Sequence, residues 1–495
     1  MIFTLEQWLA LSPILVIAAT CVAVMMGIAV RRHHQINATF SVAGLNVALL
    51  VSSLIFFGPL LLVDLIPQVL PQQVTPLLKI DGYSVFYMGL ILSATLATAT
   101  LAHPYFDEFK GKPEEFYLLL SLSALGGMVL CASNHLASLF IGVELLSVPL
   151  LAMIAYPLHD RRALEASVKY LILSAAASAF LLFGMALIYA DSGALAFPAL
   201  AQYLSAGDAS GPYILIGSVL IMVAVGFKLS LVPFHLWTPD VYEGAPAPVT
   251  AYLSTASKVA IFAVLLRFFA EGGGYATGVL LNLLSVLALV SILVGNVLAL
   301  QQQNLKRLLA YSSIAHFGYV MVALIATGPL AVEAVNVYLL TYVITNLGAF
   351  GIITLVSSPL GERDADQLED YRGLFWRRPF LTAILTAMML SLAGIPVTAG
   401  FIGKFYVIAA GFDAQLWTLL GAVVLGSAIG LFYYLRVISV MFMADPRRMG
   451  FDVTLGWEAR AGGLVTLLLM LLMLLIGIYP EPLLYLIKHA TLATG

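Results

Sequence analysis

Apolar runs of about 20 or more residues follow one another along this chain with only short polar breaks between them. Each run is long enough to cross the hydrocarbon core of a bilayer as an α-helix. Since 61% of the 495 residues are hydrophobic and only 10% are charged, the composition argues against a soluble protein with several cores joined by polar linkers. The sequence predicts an all-α polytopic membrane protein of about 14 transmembrane helices.

Hydropathy and turn residues place the predicted spans, which are named α1 to α14 in chain order. The first run is interpreted as a retained span rather than a signal peptide, because it lacks a basic start and a small-residue cleavage site. Arg31 and Arg32 follow it like stop-transfer flanks. The spans are predicted near residues 5–30, 36–62, 82–103, 114–132, 135–156, 163–190, 212–238, 248–270, 276–300, 306–327, 330–357, 378–411, 414–441 and 459–486.

The 19 basic residues in or beside the connections are divided unequally between the two sides of the predicted membrane. Sixteen lie in or close to the odd-numbered connections, whereas the even-numbered connections and the C-terminus hold three. Because cytoplasmic loops are enriched in lysine and arginine, both termini are predicted on the non-cytoplasmic side. The larger group comprises Arg31, Arg32, Lys110, Lys112, Arg161, Arg162, Lys306, Arg307, Arg363, Arg372, Arg377, Arg378, Arg436, Arg447, Arg448 and Arg460, and the smaller comprises Lys79, Arg267 and Lys488.

Four lysines and one glutamate fall inside the apolar spans. A lysine at bilayer depth costs about 2.5 to 3.5 kcal/mol on insertion scales, so the set costs roughly 10 kcal/mol or more. Charges inside a membrane usually carry a function, which makes these residues the candidate site. The set comprises Lys169, Lys228, Lys258, Lys404 and Glu144.

Two spans are predicted to be broken near these charges. In α7, Pro233 cannot donate to the carbonyl of Leu229, so the helix should break beside Lys228. The run predicted as α12 is too long for one straight crossing, and Gly394-Ile395-Pro396 interrupts it shortly before Lys404. The freed backbone groups of a broken helix need a polar cavity or protein around them, and paired breaks indicate an ion path in transporters built from repeats.

The two breaks lie five helices apart, which predicts two copies of a five-helix unit. Because five is an odd number, the second copy is inverted in the membrane relative to the first. The predicted division is an N-terminal group of three helices at 1–112, a first repeat at 113–271, a second repeat at 272–441 and a last helix at 442–495.

The sequence offers no site of its own for redox or nucleotide chemistry. Cys21 and Cys131 lie inside apolar spans and are too few for an iron–sulfur cluster, which needs four protein ligands, so they are predicted to be buried free thiols. The sequence also lacks phosphate-binding glycine loops and sets of His and carboxylate residues such as HExxH, so no metal site is expected. Any electron transfer would take place in partner proteins.

Four long motifs carry a resemblance to a known family, and it covers essentially the whole chain. They are HLASLFIGVE at 135–144, GFKLSLVPFHLWTPDVYEGAPAPV at 226–249, NLKRLLAYSSIAHFGY at 304–319 and SLAGIPVTAGFIGKF at 391–405. They resemble the antiporter-like membrane subunits of respiratory complex I, the proton-pumping NADH:quinone oxidoreductase. Within that family the chain is most similar to the subunit N branch, because it lacks a long lateral helix and carries Lys404 rather than glutamate in α12.

The resemblance implies a proton-translocating subunit in which Glu144 and Lys228 form the charge pair of the first half, while Lys258 links the halves and Lys404 is the outlet. Burial favours the neutral forms of lysine and glutamate and pairing favours the charged forms, so movement of Glu144 would change whether Lys228 holds its proton. The resemblance also implies no cofactor in this chain, with FMN, iron–sulfur clusters and quinone in partner subunits. The expected partners are other antiporter-like and small membrane subunits, membrane lipid and protons, without nucleic acid, in a bacterial inner membrane.

Several of these residues also have a structural interpretation. Glu144 and Lys228 could form a static ion pair that only fixes helix packing. Lys169 could snorkel, or pair with the glutamate one turn earlier, instead of modulating Glu144. His235 and His316 could relay protons, because imidazole titrates near neutral pH, or could be packing residues with satisfied hydrogen bonds.

A subunit of a multi-component cation/proton antiporter is the alternative function, since it shares the same motifs. Na⁺ dependence of proton movement and the identity of the complex with which the chain co-purifies would distinguish an antiporter subunit from a complex I subunit. A stand-alone carrier of an organic ion is disfavoured by the lack of an arginine or a wide polar cluster at bilayer depth. The polar segment 362–378 is predicted to be a solvated loop, and Asp240 and Glu243 beside α7 are candidates for guiding protons inward.

Overall fold

The computed structural model describes residues 3–61, 69–106, 111–205, 211–276, 278–357, 364–444 and 457–490. Thirteen helices in these ranges are long and apolar enough to cross a membrane, and the broken α12 is a further crossing. The prediction of an all-α polytopic protein is therefore confirmed. The unbroken spans are α1 Leu5–Val30, α2 His34–Leu61, α3 Gly82–Phe106, α4 Glu114–Ala132, α5 Leu136–Ile154, α6 Arg161–Ser192, α8 Ala247–Glu271, α9 Gly278–Leu300, α10 Leu305–Ala326, α11 Gly328–Val356, α13 Trp417–Phe442 and α14 Trp457–Ile478.

The predicted break in α7 is confirmed. This span consists of α7a, Pro212–Leu229, and α7b, Trp237–Gly244. α7a ends where Ser230 adopts the left-handed conformation, with φ of 65°, and the amide of the next residue donates to the carbonyl of Gly226. The helix thus stops before the ring of Pro233 would obstruct its last carbonyl groups.

The predicted break in α12 is also confirmed. This span consists of α12a, Pro379–Ala393, and α12b, Ala399–Asp413. Gly394 ends α12a with φ of 83°, a conformation that glycine adopts without a steric penalty from Cβ. The break follows Lys228 in α7 but precedes Lys404 in α12, so the two lysines lie on opposite sides of their breaks.

The central helices of the bundle carry Lys258 and His316. α8 is buried along its whole length, and α10 and α11 are nearly so, whereas α2, α6 and α14 are largely exposed. α8 contains a π-helical turn at Leu253–Ser257, directly before Lys258. Such turns often occur at functional sites. Cys21 and Cys131 are buried free thiols, as predicted.

The packing order is the same in the two predicted repeats. α4 packs chiefly against α5, and α6 against α7a, just as α9 packs chiefly against α10, and α11 against α12b. The close approach of α6 to α7a depends on facing glycines, because a Cβ on Gly184 would lie 2.6 Å from the carbonyl oxygen of Gly217. This order agrees with the division into repeats, while the bounds of the repeats and their inversion stay a prediction.

A two-stranded antiparallel hairpin precedes α3, and the hydropathy pattern does not predict it. Its strands are β1, Gln72–Thr75, and β2, Leu78–Ile80. The hydroxyl of Thr75 accepts from the amide of Leu77 at 3.2 Å and so helps to close the turn. Short helices and 3₁₀ turns also occur between the spans, at Phe197–Tyr203, Gly274–Ala276, Leu368–Tyr371, Leu374–Arg377 and Glu481–His489.

Two basic residues beside predicted connections are buried. Arg267 is fully buried near the end of α8, and Lys306 is buried in the first turn of α10. The segment predicted as a solvated loop differs from the prediction, because Asp366 is buried and accepts from the side chain of Asn304 at 2.7 Å. The solvated-loop prediction is wrong there because hydropathy does not report the tertiary hydrogen bonds that allow a charge to be buried. Lys110, Glu362, Arg363, Arg447 and Arg448 lie outside the described residues.

Candidate functional site

Lys228 is the second-last residue of α7a, and its side chain is almost fully buried. Nζ donates to the hydroxyl of Ser147 on α5 at 2.8 Å and to the hydroxyl of Ser174 on α6 at 2.7 Å. It also lies 5.4 Å from the centre of the Tyr170 ring, which is within the range of a cation–π interaction. Hydroxyl oxygens and an aromatic face therefore replace water around this amino group.

Glu144 lies one turn before Ser147 on α5, and its carboxylate accepts from the hydroxyl of Ser178 on α6. Ser178 lies one turn after Ser174, which binds Lys228. In the described part of the chain, no ion pair within 4.0 Å joins Glu144 to Lys228. The residues predicted to be a charge pair are therefore neighbours separated by serine hydroxyls.

A cavity of about 400 Å³ lies between α5 and α6, and Glu144, Ser147 and Ser174 line it. Val148 and Leu171 line the same cavity and are 60% and 47% exposed. The cavity therefore opens on the lateral surface of the bundle, where Glu144 can be reached from outside this chain.

Lys258 is fully buried at the start of the regular helix that follows the π turn of α8. Nζ donates to the hydroxyl of Ser313 on α10 at 2.9 Å. It lies 5.0 Å from the ring centre of Phe317 and 5.5 Å from that of Tyr242. Ser313 also accepts from the hydroxyl of Tyr342 on α11 at 2.8 Å, so Lys258 is connected to hydroxyl groups on two neighbouring helices.

His316 is buried on α10, and both of its ring nitrogens are hydrogen-bonded to tyrosine hydroxyls. Nδ1 lies 2.6 Å from the hydroxyl of Tyr338 on α11, and Nε2 lies 3.1 Å from that of Tyr434 on α13. The hydroxyl of Tyr434 is also bonded to the hydroxyl of Ser312. Because a neutral imidazole donates at one nitrogen and accepts at the other, this arrangement suits the relay role that the sequence suggested.

Lys404 lies on α12b, and its Nζ donates to the carbonyl of Ala393, the last residue of α12a, at 2.8 Å. That carbonyl is among those that a helix end leaves without an intrahelical partner, and the helix dipole favours a cation there. Nζ also lies 5.5 Å from the centre of the Tyr319 ring. The break in α12 therefore supplies the acceptor for the lysine. We call the following residues the buried row: Lys228, Lys258, His316 and Lys404.

Lys169 does not belong to the buried row, because its side chain is 42% exposed. Nζ lies 2.7 Å from Glu165, the i−4 pairing that the sequence suggested as an alternative, and 2.7 Å from Asp240 on α7b. Asp240 also pairs with Arg307 of α10 at 2.8 Å. The carboxylate of Asp240 thus accepts from cations on two different helices. Lys169 thus forms part of an ion cluster that ties α7b to α6 and α10.

His235 lies between α7a and α7b, where it is buried. Its Nδ1 has no hydrogen-bond partner among the described residues. A buried nitrogen without a partner costs free energy, which distinguishes His235 from His316, whose two ring nitrogens are both bonded. A part for His235 in proton relay stays a prediction.

The sequence analysis missed the hydroxyl groups that surround the lysines. Ser147, Ser174 and Ser313 each lie in an apolar span and each accept a hydrogen bond from a buried lysine. The presence of serine in these spans could have indicated such bonds, since small polar residues inside membrane spans often form hydrogen bonds between helices.

The sequence analysis also missed a buried ion cluster between α8 and the start of α3. The two terminal nitrogens of Arg267 lie 2.7 Å and 2.9 Å from the carboxylate oxygens of Asp81. Glu271 lies one turn after Arg267 and pairs with Lys79 of β2 at 2.8 Å. Burial by itself would raise the pKa of Asp81, but the guanidinium group of Arg267 holds it below its usual value. The i,i+4 spacing of Arg267 and Glu271 could have indicated an ion pair on α8.

Sequence comparison relates nearly the whole chain to known proteins. Residues 133–430 match the family described as NADH:quinone oxidoreductase/Mrp antiporter, TM. The NADH-quinone oxidoreductase subunit N of Ectopseudomonas mendocina (strain ymp) is 56% identical over 497 residues, which cover 99% of this chain and 98% of that protein. This chain belongs to the NADH:quinone oxidoreductase/Mrp antiporter family.

Chains of three solved complexes share the fold of this member of the NADH:quinone oxidoreductase/Mrp antiporter family. A chain of respiratory complex I from Thermus thermophilus is 33% identical with a TM-score of 0.79, covering 96% of this chain and 98% of that chain. A chain of the membrane-bound sulfane sulfur reductase, an archaeal respiratory membrane complex, is 25% identical with a TM-score of 0.81 and coverages of 98% and 97%. A chain of the Mrp complex from Dietzia sp. DQ12-45-1b, at 21% identity, a TM-score of 0.82 and the same coverages, shows the shared fold.

Proposed function

We propose that this chain is subunit N of a proton-pumping NADH:quinone oxidoreductase and that it conducts protons while partner subunits transfer electrons from NADH to quinone. The relative from Ectopseudomonas mendocina, which is similar over nearly the full length of both proteins, supports this assignment. FMN, iron–sulfur clusters and quinone then belong to the partner subunits. The enzyme is the whole complex, and this chain is one of its membrane subunits.

The observation that carries the proposal is the set of partners around the buried lysines. Lys228 and Lys258 donate to serine hydroxyls, and Lys404 donates to a backbone carbonyl. In the described part of the chain, no carboxylate oxygen lies within 4.0 Å of these three Nζ atoms. A buried lysine solvated only by neutral oxygen atoms can release its proton, which an arginine cannot do.

The buried row then acts as a series of proton sites. Glu144, at the lateral cavity, affects the charge of Lys228 through the serine layer, Lys258 links the two halves, and Lys404 is the outlet. Lys169, outside the row, influences the first site only through the position of α7b. His235 and His316 are secondary relay residues.

The surroundings of the chain follow from the same proposal. It lies in the inner membrane of a bacterium among other antiporter-like and small membrane subunits, with both termini on the non-cytoplasmic side. Its repeats are 113–271 and 272–441, flanked by 1–112 and 442–495. The charge distribution of the connections supports the sidedness, and the equal packing order of the two halves supports the repeats.

The decisive experiment is NADH-driven proton uptake in inverted membrane vesicles that carry Lys228→Met, with assembly of the complex measured in the same membranes. We expect proton uptake to be lost in an assembled complex. Lys228→Arg should fail as well, because its positive charge is kept but its proton is not released. Lys112→Met, at an exposed position, is the control and should pump like the parent.

Normal uptake in Lys228→Arg would contradict the proposal and favour a static structural role for this lysine. The cation/proton antiporter remains the second candidate, since the matched family includes Mrp antiporters. Proton movement that requires Na⁺ and does not depend on NADH, together with co-purification of antiporter subunits, would favour that candidate.

A further inference from the structure

The hydrogen bonds on the Nε2 side of His316 lead toward Lys258. Nε2 is bonded to the hydroxyl of Tyr434, which is bonded in turn to the hydroxyl of Ser312. The next residue of α10 is Ser313, which accepts from Lys258 at 2.9 Å. The hydroxyl of Ser312 is therefore connected to His316 through Tyr434, and the hydroxyl of the next residue, Ser313, is bonded to Lys258.

The hydrogen bond on the Nδ1 side of His316 leads toward Lys404. Nδ1 lies 2.6 Å from the hydroxyl of Tyr338 on α11. The Tyr338 ring packs against α12b, because a Cβ on Gly403 would lie 3.3 Å from its Cδ2 atom, and Gly403 directly precedes Lys404. The two sides of the imidazole thus face different lysines of the buried row.

We propose that Tyr434 and Tyr338 transfer protons on either side of His316, and that this Tyr434–His316–Tyr338 unit connects Lys258 with Lys404. The inference rests on the proposed function and extends it, because it adds two residues to the proton route. It also gives the imidazole a defined task, which is to exchange its tautomer.

The transfer needs no charged intermediate. The O–H of Tyr434 gives its proton to Nε2 while the N–H at Nδ1 gives its proton to the oxygen of Tyr338, so His316 changes from one neutral tautomer to the other. In the same concerted step Tyr434 takes a proton from the Ser312 hydroxyl, which is supplied from the Lys258 side, and Tyr338 releases its original proton toward Lys404, so neither tyrosine becomes charged. One proton enters and one leaves, and the unit keeps the same number of protons.

A purely structural role makes a different prediction. If the two hydroxyl groups only satisfied the imidazole, their removal would cost about 1 to 3 kcal/mol for each buried polar atom left without a partner, as at any buried site. It would change stability and not the movement of protons. Proton uptake and its solvent isotope effect therefore separate the two roles.

The test uses Tyr434→Phe and Tyr338→Phe in the assembled complex, in inverted vesicles driven by NADH, with H₂O and D₂O compared. We expect each variant to lose the same share of proton uptake per NADH as Lys258→Met loses. Tyr83→Phe is the matched control, because Tyr83 is fully buried and its hydroxyl donates to the carbonyl of Ala263 at 2.8 Å. This control should pump like the parent.

Normal uptake in both phenylalanine variants, with uptake lost in Lys258→Met, would overturn the relay and leave the proposed function in place. Normal uptake in Lys258→Met would instead count against the proposed function. A loss in Tyr83→Phe equal to that in Tyr434→Phe would also overturn the relay, since it would mark a general packing effect.

If Tyr434→Phe does not assemble, 3-fluorotyrosine at position 434 keeps the ring and the hydroxyl but changes the acidity of the hydroxyl. A changed rate of uptake with a changed solvent isotope effect would then support transfer through this group. An unchanged rate and isotope effect would overturn it.

Discussion

The ion pair between Arg267 and Asp81 provides a quantitative test of how this protein buries charge. The side chain of Arg267 is 0% exposed, and its terminal nitrogens lie 2.7 Å and 2.9 Å from the two oxygens of Asp81. The nearest further cation is Lys79, at 3.9 Å from Asp81. We consider the single variants Arg267→Met and Asp81→Asn and the double variant that combines them.

Removal of one partner from a buried ion pair costs about 3 to 5 kcal/mol, because the other charge stays buried without compensation. Arg267→Met should lie at the lower end of that range, since Lys79 remains near Asp81 and the carboxylate can take up a proton. Asp81→Asn should cost more than Arg267→Met, because a guanidinium group cannot lose its proton and only Glu271, at 3.5 Å, remains near Arg267 as a described counter-charge. The double variant should be destabilised less than either single variant, since it leaves neither member of the pair charged and alone.

The measurement is the free energy of unfolding of the purified chain, obtained by titration of a mild detergent with dodecyl sulfate. Arg372→Met is the control for an exposed pair, because Arg372 and Glu369 are 43% and 67% exposed and lie 3.8 Å apart. Its cost should be at most about 1 kcal/mol. A double variant whose destabilisation equals the sum of the two single variants would refute the reasoning.

Two further predictions concern the break in α12 and the ion cluster at α7b. Gly394→Ala should lower NADH-driven proton uptake, because alanine at φ of 83° costs about 1 to 2 kcal/mol and its Cβ would lie 2.7 Å from Cδ of Lys404. The control is Gly421→Ala, whose Cβ meets no atom within 4 Å and which should pump normally. Equal proton uptake in the two variants would contradict this prediction. Asp240→Asn should lower the melting temperature of the complex at pH 7, because it removes the charge that binds Lys169 at 2.7 Å and Arg307 at 2.8 Å. A melting temperature equal to that of the parent would exclude this role.

Features that depend on residues close together in the chain are predictable from the amino-acid sequence. Long apolar runs predict spans, because each helix satisfies its own backbone hydrogen bonds within the run. The breaks in α7 and α12 were predictable for the same reason, since the effect of Pro233 or Gly394 on the backbone is local. Lys228, Lys258 and Lys404 were predictable as the candidate site because each is a charge within a long apolar run.

The contacts of each charge depend on how the helices pack. Lys258 and its acceptor Ser313 are 55 residues apart, and Arg267 and Asp81 are 186 residues apart, so no local pattern relates them. Hydropathy therefore grouped Lys169 with the buried lysines, although an ion cluster at α7b holds it partly exposed. The physical reason is that burial of a charge depends on the oxygen atoms that neighbouring helices bring to it, and helix packing, not the order of residues along the chain, brings those atoms together.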